Sequence, residues 1–475
     1  MRSLSFVDFL NFRDIYTTNS KNLCLFDVDH DGDQELVVGF WDSGPLLENG
    51  EADAENLPGA IYVLKHHRIW KANREVGMVL CVTAGNIVGK GEPWILALCA
   101  DSHCYAFDAK CTNTNEHRVT FFSLSIFLKS HNTTSTKASI PREKLSQYLP
   151  LKMVHHQLLA YNAKDIQIIE SDGCCEVAVA HSDRVVRLYT WCPSEERHVD
   201  DDGGEIPRGR FVILMKWELA GQVNSISTHP TPDSGSLLLA SQPGGGFAIL
   251  HRKFEKYQDN IVPTLVYYPP RITNTRNLDA RTWIVGNVRG GVLPTEDHVT
   301  AQSKSPEDAT NPIVGVCMAD GTVLLINPAT EDEAERVLWC IQLHFRGELF
   351  GLSKVNLTRG HTDELCVCAW DGTTYVFSHR KQVLRFPMGQ SCQAFLAGWY
   401  AVAPGRNEPV FVYATCEHSL LIYHNLSVDH LVEPCLFHEL SNDTSIASSL
   451  RALHIDPDDR DQLRQTVHHY LYEVR

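Results

Sequence analysis

Seven pairs of short apolar runs, spread along most of the chain, are the feature that most limits how this sequence can fold. The first run of each pair is almost wholly apolar, which is typical of a strand buried on both faces of its sheet. These first runs are ELVVG (35–39), WILALC (94–99), EVAVA (176–180), SLLLA (236–240), IVGVC (313–317), ELCVCAW (364–370) and VFVYA (410–414). A turn leads from each to a second run that ends in aromatic or aliphatic residues. The second runs are GAIYVL (59–64), CYAF (104–107), RVVRLY (184–189), GFAIL (246–250), GTVLLI (321–326), GTTYVF (372–377) and SLLIYH (419–424). Seven matched hairpins predict an all-β fold, a seven-bladed β-propeller.

The N-terminal run SLSFVDFLNF (3–12) alternates apolar and polar residues, and we expect it to complete the last blade as a strand. The sequence therefore predicts a propeller over 1–425. Polar insertions are expected near 110–150, 193–210 and 253–310, where few apolar positions recur with a regular period. Such segments are where a repeated frame has room for partner-binding residues.

The remaining residues, 426–475, are predicted to form a short C-terminal helical tail. Asp456 suits the N-cap and Pro457 the first helical position. An apolar stripe recurs every three to four residues, at Leu463, Val467, Leu471 and Val474. The pattern leaves two interpretations open: the stripe packs on the propeller, or it docks in a partner's groove.

Composition and charge exclude several classes of function. The net charge of −16 argues against nucleic acid and anionic lipid, because both need clustered Lys and Arg. Asp8, Arg13 and Asp14 interrupt the apolar run that a secretory signal needs, and no apolar stretch is long enough to span a membrane. The 15 cysteines are scattered through apolar runs, which favours reduced thiols and a cytoplasmic protein. The sequons are then chance matches, at Asn132, Asn356, Asn425 and Asn442.

One acidic segment, DVDHDGDQE at 27–35, matches the spacing of a calcium loop. Hard cations take oxygen ligands, and alternate carboxylates in such a loop point toward one ion. The candidate ligands are Asp27, Asp29, Asp31, Asp33 through its backbone carbonyl, and Glu35, which closes the site. The segment leads into a strand instead of a helix, so it is not an EF-hand, and a bound ion would only brace a turn. The alternative is a solvated acidic turn; no cofactor is required, and structural calcium is the one that the sequence indicates.

Two decayed copies of this loop are expected to bind no ion. The copy at 166–180 has Ile168 at the first ligand position, although it keeps later acidic residues at Glu170, Asp172 and Glu176. The copy at 355–367 has Gly360 at the third ligand position and keeps Asn356, Thr358 and Glu364.

Catalytic templates do not fit the sequence. GNIVGKG (85–91) resembles a phosphate-binding loop, but it has three residues instead of four between its first glycines. It also has a glycine where a Ser or Thr would bind magnesium, so we interpret it as a turn. The sequence has no H-E-x-x-H, G-x-S-x-G or C-x-x-C motif. These failures predict a non-enzymatic protein.

A calcium-type loop that runs into an apolar strand and then into G-x-[IV]-Y-V is similar to the FG-GAP repeats of integrin alpha chains, which build seven-bladed propellers. Five further stretches, in order, resemble the integrin-alpha FG-GAP repeat-containing protein 2 family. They are HSDRVVRLYTW (181–191), CAWDGTTYVF (368–377), VLRF (383–386), AGWYAVAPGRNEP (397–409) and IDPDD (455–459). The resemblance covers essentially the whole chain, although the insertions align poorly.

The resemblance implies a scaffold subunit of a KICSTOR complex, with a kaptin-like propeller, a large SZT-type scaffold and other KICSTOR subunits as partners. It implies a cytoplasmic protein that reaches the lysosomal membrane peripherally, through its complex. There the complex recruits the GATOR GTPase-activating complex and negatively regulates TOR complex signalling when amino acids or glucose are scarce.

Two other classes of function stay open. An extracellular calcium-dependent adhesion or ligand-binding propeller is favoured by the acidic loop and the sequons. The missing signal and the odd number of cysteines oppose it. An enzyme with a site on the propeller axis would need an acid, base or metal set that converges on the channel, and the sequence reveals none.

Overall fold

The computed structural model describes the greater part of the chain. The described positions are 2–3, 8–13, 18–41, 59–88, 93–110, 148–159, 161–171, 174–194, 198–199, 205–206, 208–230, 236–250, 264–267, 280–291, 310–330, 332–343, 348–358, 362–426, 444–453, 455–456, 462, 463, 466 and 469. The chain forms two compact units, Met1–Ser427 and Val428–Arg475.

The first unit is a propeller of seven blades, each built on four antiparallel strands. The first strands of blades 1 to 7 are Leu23–Phe26, Val79–Asn86, Ala163–Ser171, Ile226–Pro230, Thr282–Gly291, Leu349–Val355 and Cys392–Ala403. The second strands are Glu35–Trp41, Pro93–Cys99, Cys174–His181, Ser236–Gln242, Thr310–Met318, Glu364–Ala369 and Arg406–Thr415. The third strands are Gly59–Lys65, His103–Asp108, Val185–Pro193, Gly246–Leu250, Thr322–Ile326, Thr373–Phe377 and Ser419–His424. The fourth strands are Arg68–Val76, Lys152–Leu158, Gly209–Glu218, Thr264–Tyr267, Val337–Gln342, Val383–Pro387 and, for blade 7, Asp8–Arg13.

The predicted pairs of apolar runs are the second and third strands of the seven blades, so the predicted fold class is confirmed. These strands lie in the middle of each blade and are covered on both faces. Pro93–Cys99 and Gly59–Lys65, for example, are buried at every position. The first strands of neighbouring blades contact one another around the ring, which places them nearest the axis.

The propeller closes with a strand from the opposite end of the chain, as the sequence predicts. Asp8–Arg13 pairs antiparallel with Ser419–His424, so that Leu10 lies opposite Ile422. The short strand Arg2–Ser3 adds in parallel to Val383–Pro387 of blade 6. The N-terminal segment therefore belongs to two neighbouring blades.

The predicted polar insertions lie largely outside the described residues. Within 110–150, Leu149–Pro150 adds in parallel to the fourth strand of blade 1. Within 193–210, a two-stranded ladder joins His198–Val199 to Glu205–Ile206.

The segment 253–310 contains two blade strands as well as undescribed residues. Thr264–Tyr267 is the fourth strand of blade 4, and Thr282–Gly291 is the first strand of blade 5. The register of the second of these shifts between Val285 and Val288, which marks a β-bulge. A bulge breaks the alternation of apolar and polar residues, so the sequence pattern hid this strand.

Apolar clusters fill the spaces between neighbouring blades. Between blades 1 and 7, for example, the buried cluster includes Leu36, Val38, Tyr62, Tyr400, Val412 and Ile422. Blades 1 and 2 pack tightly at Gly39, where a Cβ atom would lie 2.6 Å from Cγ1 of Val79. Every cysteine whose side chain the structure describes carries a free thiol.

Polar side chains also connect the blades near the axis. Asp165 of blade 3 accepts hydrogen bonds from the backbone N–H of Ile226 at 2.8 Å and from Lys21 Nζ at 2.5 Å. The hydroxyl of Ser225, which precedes the first strand of blade 4, accepts from the backbone N–H of Ile284 in blade 5 at 2.8 Å. The backbone N–H bonds join blade 4 to blade 3 and blade 5 to blade 4, and Lys21 joins the turn before the first strand of blade 1 to blade 3.

Helices are few and short among the described residues. The first unit contains the 3-10 turns Ser20–Asn22 and Pro243–Gly245 and the short helix Glu333–Arg336, and the second unit contains the helix Thr444–Ala452. Of the stripe predicted for the tail, Leu463 is buried, whereas Val467, Leu471 and Val474 lie outside the described residues. No helix in the described part of the chain is both long and apolar enough to cross a membrane.

Candidate cation loop

The acidic segment 27–35 forms the turn between the first and second strands of blade 1. The carboxylate of Asp27 accepts hydrogen bonds from the backbone N–H of Asp31 at 3.2 Å and of Gly32 at 3.0 Å. Asp31 in turn accepts from the backbone N–H of Asp33 at 2.9 Å. Gly32 has a φ of +91°, a conformation that glycine adopts without steric cost. Local side-chain bonds therefore shape this part of the loop.

Glu35 begins the second strand and lies fully buried beneath this loop. Its Oε2 accepts a hydrogen bond from the backbone N–H of Val28 at 3.0 Å, which ties the two ends of the loop together. Burial raises the pKa of Glu35 to about 7, although the hydrogen bonds to Lys65 and Val28 act in the opposite direction. A buried carboxylate of this kind needs a positive partner.

Three of the predicted ligands do come together. Single carboxylate oxygens of Asp27, Asp29 and Glu35 lie within 4.8 Å of one another. The same place holds the ammonium group of Lys65, the last residue of the third strand. Its Nζ lies 2.7 Å from Asp29 Oδ2, 2.5 Å from Asp31 Oδ2 and 2.9 Å from Glu35 Oε1.

Lys65 is held in this position by its surroundings. Its side chain is only 10% exposed, and Nζ lies 5.0 Å from the centre of the Trp70 ring. Burial lowers the pKa of Lys65, but hydrogen bonds to Asp29, Asp31 and Glu35 outweigh burial and raise the pKa above its ordinary value. At Asp31 burial raises the pKa, yet the hydrogen bond from Lys65 leaves the pKa lowered. Both shifts favour a charged Lys65 beside a charged Asp31.

Calcium needs six to eight oxygen ligands at about 2.3–2.6 Å. Since the Lys65 nitrogen already lies at nearly that distance from three of the carboxylates, the residues present do not fit a calcium ion while Lys65 stays in place. Calcium binding by Asp27, Asp29, Asp31, Asp33 and Glu35 stays a prediction from the sequence, which a metal titration tests.

The predicted calcium site uses the backbone carbonyl of Asp33, which leaves its side chain available for another contact. Its side chain faces the hairpin turn of blade 7, where it accepts from the backbone N–H of Gly405 at 2.9 and 3.2 Å. His66 Nε2 lies 3.1 Å from the same carboxylate. Beside it, Asn407 accepts from the backbone N–H of Gln34 at 2.8 Å and donates to the carbonyl of Gly32 at 2.8 Å. The outer part of the loop therefore links blade 1 to blade 7.

The decayed copy in blade 6 keeps one element of this geometry. Glu364 accepts from the backbone N–H of Leu357, seven residues earlier, at 2.8 Å, as Glu35 accepts from Val28. Burial raises the pKa of Glu364 as well. Thr358 donates its hydroxyl to Glu364 Oε1 at 3.2 Å. The shared bond shows that the closing glutamate has a structural use in a loop that lacks the alternate carboxylates.

In the copy of blade 3, Ile168 is a buried residue of the first strand and Glu176 lies in the second strand. Asp172 lies outside the described residues. Among the described residues, the set in blade 1 is the one group of three that could gather around a metal ion.

Lys65 is a residue of the site that the loop sequence does not predict. A signal was present, because Leu36 pairs with Leu64 in the hairpin, and this register places Glu35 opposite Lys65. The 17-residue gap at 42–58, within the hairpin, obscures this pairing.

Comparison with known proteins agrees with the repeat pattern. The model of the family described as integrin-alpha FG-GAP repeat-containing protein 2 matches residues 64–428. The KICSTOR complex protein ITFG2 of Mus musculus is 28% identical over 488 aligned residues, which cover 99% of this chain and 96% of the mouse protein. The protein of the same name from Bos taurus is 30% identical over 441 residues, which cover 91% of this chain and 73% of the bovine protein.

Two solved structures have a similar fold. Crystal structures of BBS1N in complex with ARL6DN, soaked with lead or with mercury, match with TM-scores of 0.51 and 0.50. Each match covers 90% of this chain and 99% of the matched chain, at 12% identity for the lead-soaked structure and 11% for the mercury-soaked one. At this identity the likeness concerns the fold alone.

Proposed function

The chain belongs to the integrin-alpha FG-GAP repeat-containing protein 2 family, and from this membership we propose that it is a non-enzymatic scaffold subunit of a KICSTOR complex. The observation that carries the proposal is the similarity to the mouse KICSTOR complex protein ITFG2, which extends over 99% of this chain and 96% of that protein. A match of this extent includes the propeller strands, the loops and the tail, so the similarity extends along this chain and is not limited to one repeat.

The state of the charged side chains supports a structural role. Several buried or partly buried acidic groups contact basic ones within the propeller: Asp29 contacts Lys65, Asp165 contacts Lys21 and Asp363 contacts Arg289. Asp363 is 5% exposed and lies 3.0 Å from the guanidinium of Arg289. Carboxylates that are paired in this way brace strands, whereas a general acid or base needs a site that its substrate can reach.

The proposed partners are a kaptin-like propeller, a large SZT-type scaffold and the other KICSTOR subunits. Through them we propose a cytoplasmic protein that lies peripherally on the lysosomal membrane. In that place the assembly would recruit the GATOR GTPase-activating complex and negatively regulate TOR complex signalling when amino acids or glucose are scarce. The acidic net charge of −16 supports an indirect route to the membrane, because anionic lipid repels an acidic surface.

Affinity purification tests the subunit assignment. The tagged chain is expressed at its natural level in cells of its source organism, and the proteins that elute at moderate salt are quantified by mass spectrometry. We expect a kaptin-like propeller and a large SZT-type protein in near-equal amounts with the tagged chain. The matched control is a tagged propeller of another family, prepared in the same way.

Elution of the chain alone contradicts the proposal. Elution with secreted and cell-surface proteins contradicts it as well, and indicates a calcium-dependent adhesion propeller in its place.

A further inference from the structure

We propose that the ammonium group of Lys65 is the resident cation of the acidic loop at 27–35, so that the loop is built without calcium. This inference concerns the construction of blade 1 and does not depend on the proposed function. The acidic loop is then an internal ion cluster and not a metal site.

The ammonium group of Lys65 contacts three carboxylates of the loop. Nζ carries three N–H donors and no acceptor. It lies 2.7, 2.5 and 2.9 Å from Asp29, Asp31 and Glu35, one oxygen from each. Asp29 and Asp31 accept hydrogen bonds from the ammonium group, and Glu35 lies at ion-pair distance from it. A calcium ion at the same point would need oxygens at about 2.3–2.6 Å, so the two cations compete for one volume.

Strand pairing in blade 1 brings Lys65 to the loop. It ends the third strand of blade 1, and the hairpin register places it opposite Glu35, the residue that closes the loop. The Trp70 ring lies 5.0 Å from Nζ on the fourth strand of the same blade. Pairing fixes the backbone, and burial limits the rotamers of the side chain. To leave the loop, Lys65 would lose three charge-assisted contacts together.

In the decayed loop of blade 6, Glu364 accepts a backbone N–H bond from Leu357, as Glu35 does from Val28. In the hairpin of blade 6, Leu365 pairs with Phe377, so the residue opposite Glu364 is Ser378 and not a lysine. That loop also lacks the alternate carboxylates, since Asn356 and Thr358 stand at the first two ligand positions. The lysine and the alternate carboxylates thus occur together in blade 1 and are absent together in blade 6. Charge compensation inside the blade explains this difference between the two loops; the copy in blade 3, which keeps Glu170 and Asp172, has Thr190 opposite Glu176.

The test compares the natural chain with Lys65→Met, which keeps the apolar stem and removes the charge. The matched control is Lys354→Met, which removes a partly exposed lysine 3.8 Å from Asp363 in blade 6. Each protein is melted in excess chelator and in millimolar calcium. Terbium is the second probe, because it takes oxygen ligands as calcium does and luminesces when a nearby tryptophan, here Trp70, is excited.

For the natural chain we expect the same melting temperature in chelator and in calcium, and no saturable terbium luminescence. For Lys65→Met we expect a melting temperature several degrees lower in chelator, recovery of most of that loss in calcium, and saturable terbium luminescence that calcium displaces. For Lys354→Met we expect a loss that calcium does not recover.

Calcium-dependent melting or saturable terbium luminescence of the natural chain would overturn the proposal, since the loop would then bind metal with Lys65 in place. The proposal is also wrong if Lys65→Met folds and neither ion binds it. Should Lys65→Met fail to fold, Lys65→Gln keeps a neutral donor at the same position, and it must bind terbium for the proposal to stand.

Discussion

The closing strand Asp8–Arg13 gives the sharpest test of how the propeller is held together. Its side chains alternate between two faces: Phe9 is 54% exposed, whereas Leu10 and Phe12 are partly buried against the cluster that blades 1 and 7 share. Phe12 lies opposite Leu420, which is fully buried. Phe9 and Phe12 therefore allow the same substitution on the same strand, once toward solvent and once toward the core.

Full burial makes a Phe→Ala change cost about 3–5 kcal/mol, so the partial burial of Phe12 predicts a loss of about 2 kcal/mol in the free energy of unfolding. Phe9→Ala should cost below about 1 kcal/mol, because the Phe9 ring is 54% exposed. The substitution removes its contact with the Tyr423 ring, whose centre lies 5.4 Å away. Deletion of residues 1–12 removes nearly the whole strand and should destabilise the protein more than either substitution. It should lower the melting temperature sharply.

Urea denaturation followed by tryptophan fluorescence measures these differences as shifts of the midpoint at constant slope. Equal losses for Phe9→Ala and Phe12→Ala would refute the assignment of the two faces. An unchanged melt after deletion of residues 1–12 would refute closure by this strand.

Two further predictions concern buried polar groups. Burial and the charge of Lys354 lower the pKa of His229 from 6.5 to about 4. Between these two pH values His229 binds a proton in the unfolded chain but not in the folded one, so stability falls as the pH falls from 6.5 to about 4. At pH 5 the natural chain should lose about 2 kcal/mol more, relative to pH 7, than His229→Asn does in the same urea assay, and equal losses would contradict this. Asp33→Ala removes the acceptor of the Gly405 N–H and should cost about 2 kcal/mol, whereas Asp33→Asn keeps an acceptor and should cost less. An equal cost for the two Asp33 variants in urea denaturation would contradict the proposed link between blades 1 and 7.

The middle strands of the blades could be predicted from the sequence because burial on both faces leaves an unbroken apolar run, as in Pro93–Cys99. First strands lie near the axis and carry polar groups that connect the blades, so their pattern is weak. Ile226–Pro230, with the sequence ISTHP, has no apolar alternation to detect. Thr282–Gly291 was hidden by its bulge at Gly286 and Asn287.

The acidic loop could be predicted as a cluster of carboxylates, but its positive partner could not be predicted from the loop itself. Lys65 is separated from Asp29 by 36 residues and reaches it only through strand pairing. Asp33 likewise meets Gly405 across 372 residues because the ring closes there. Long-range contacts of this kind follow from topology, and local spacing does not contain them.

The most direct test of the proposed function is the amount of GATOR complex on purified lysosomes after amino-acid withdrawal, in cells with and without this chain. We predict that loss of the chain removes most GATOR from the lysosomal fraction and that re-expression of the natural chain restores it. An unchanged amount of GATOR on lysosomes, in cells shown to lack the chain, would contradict the scaffold account.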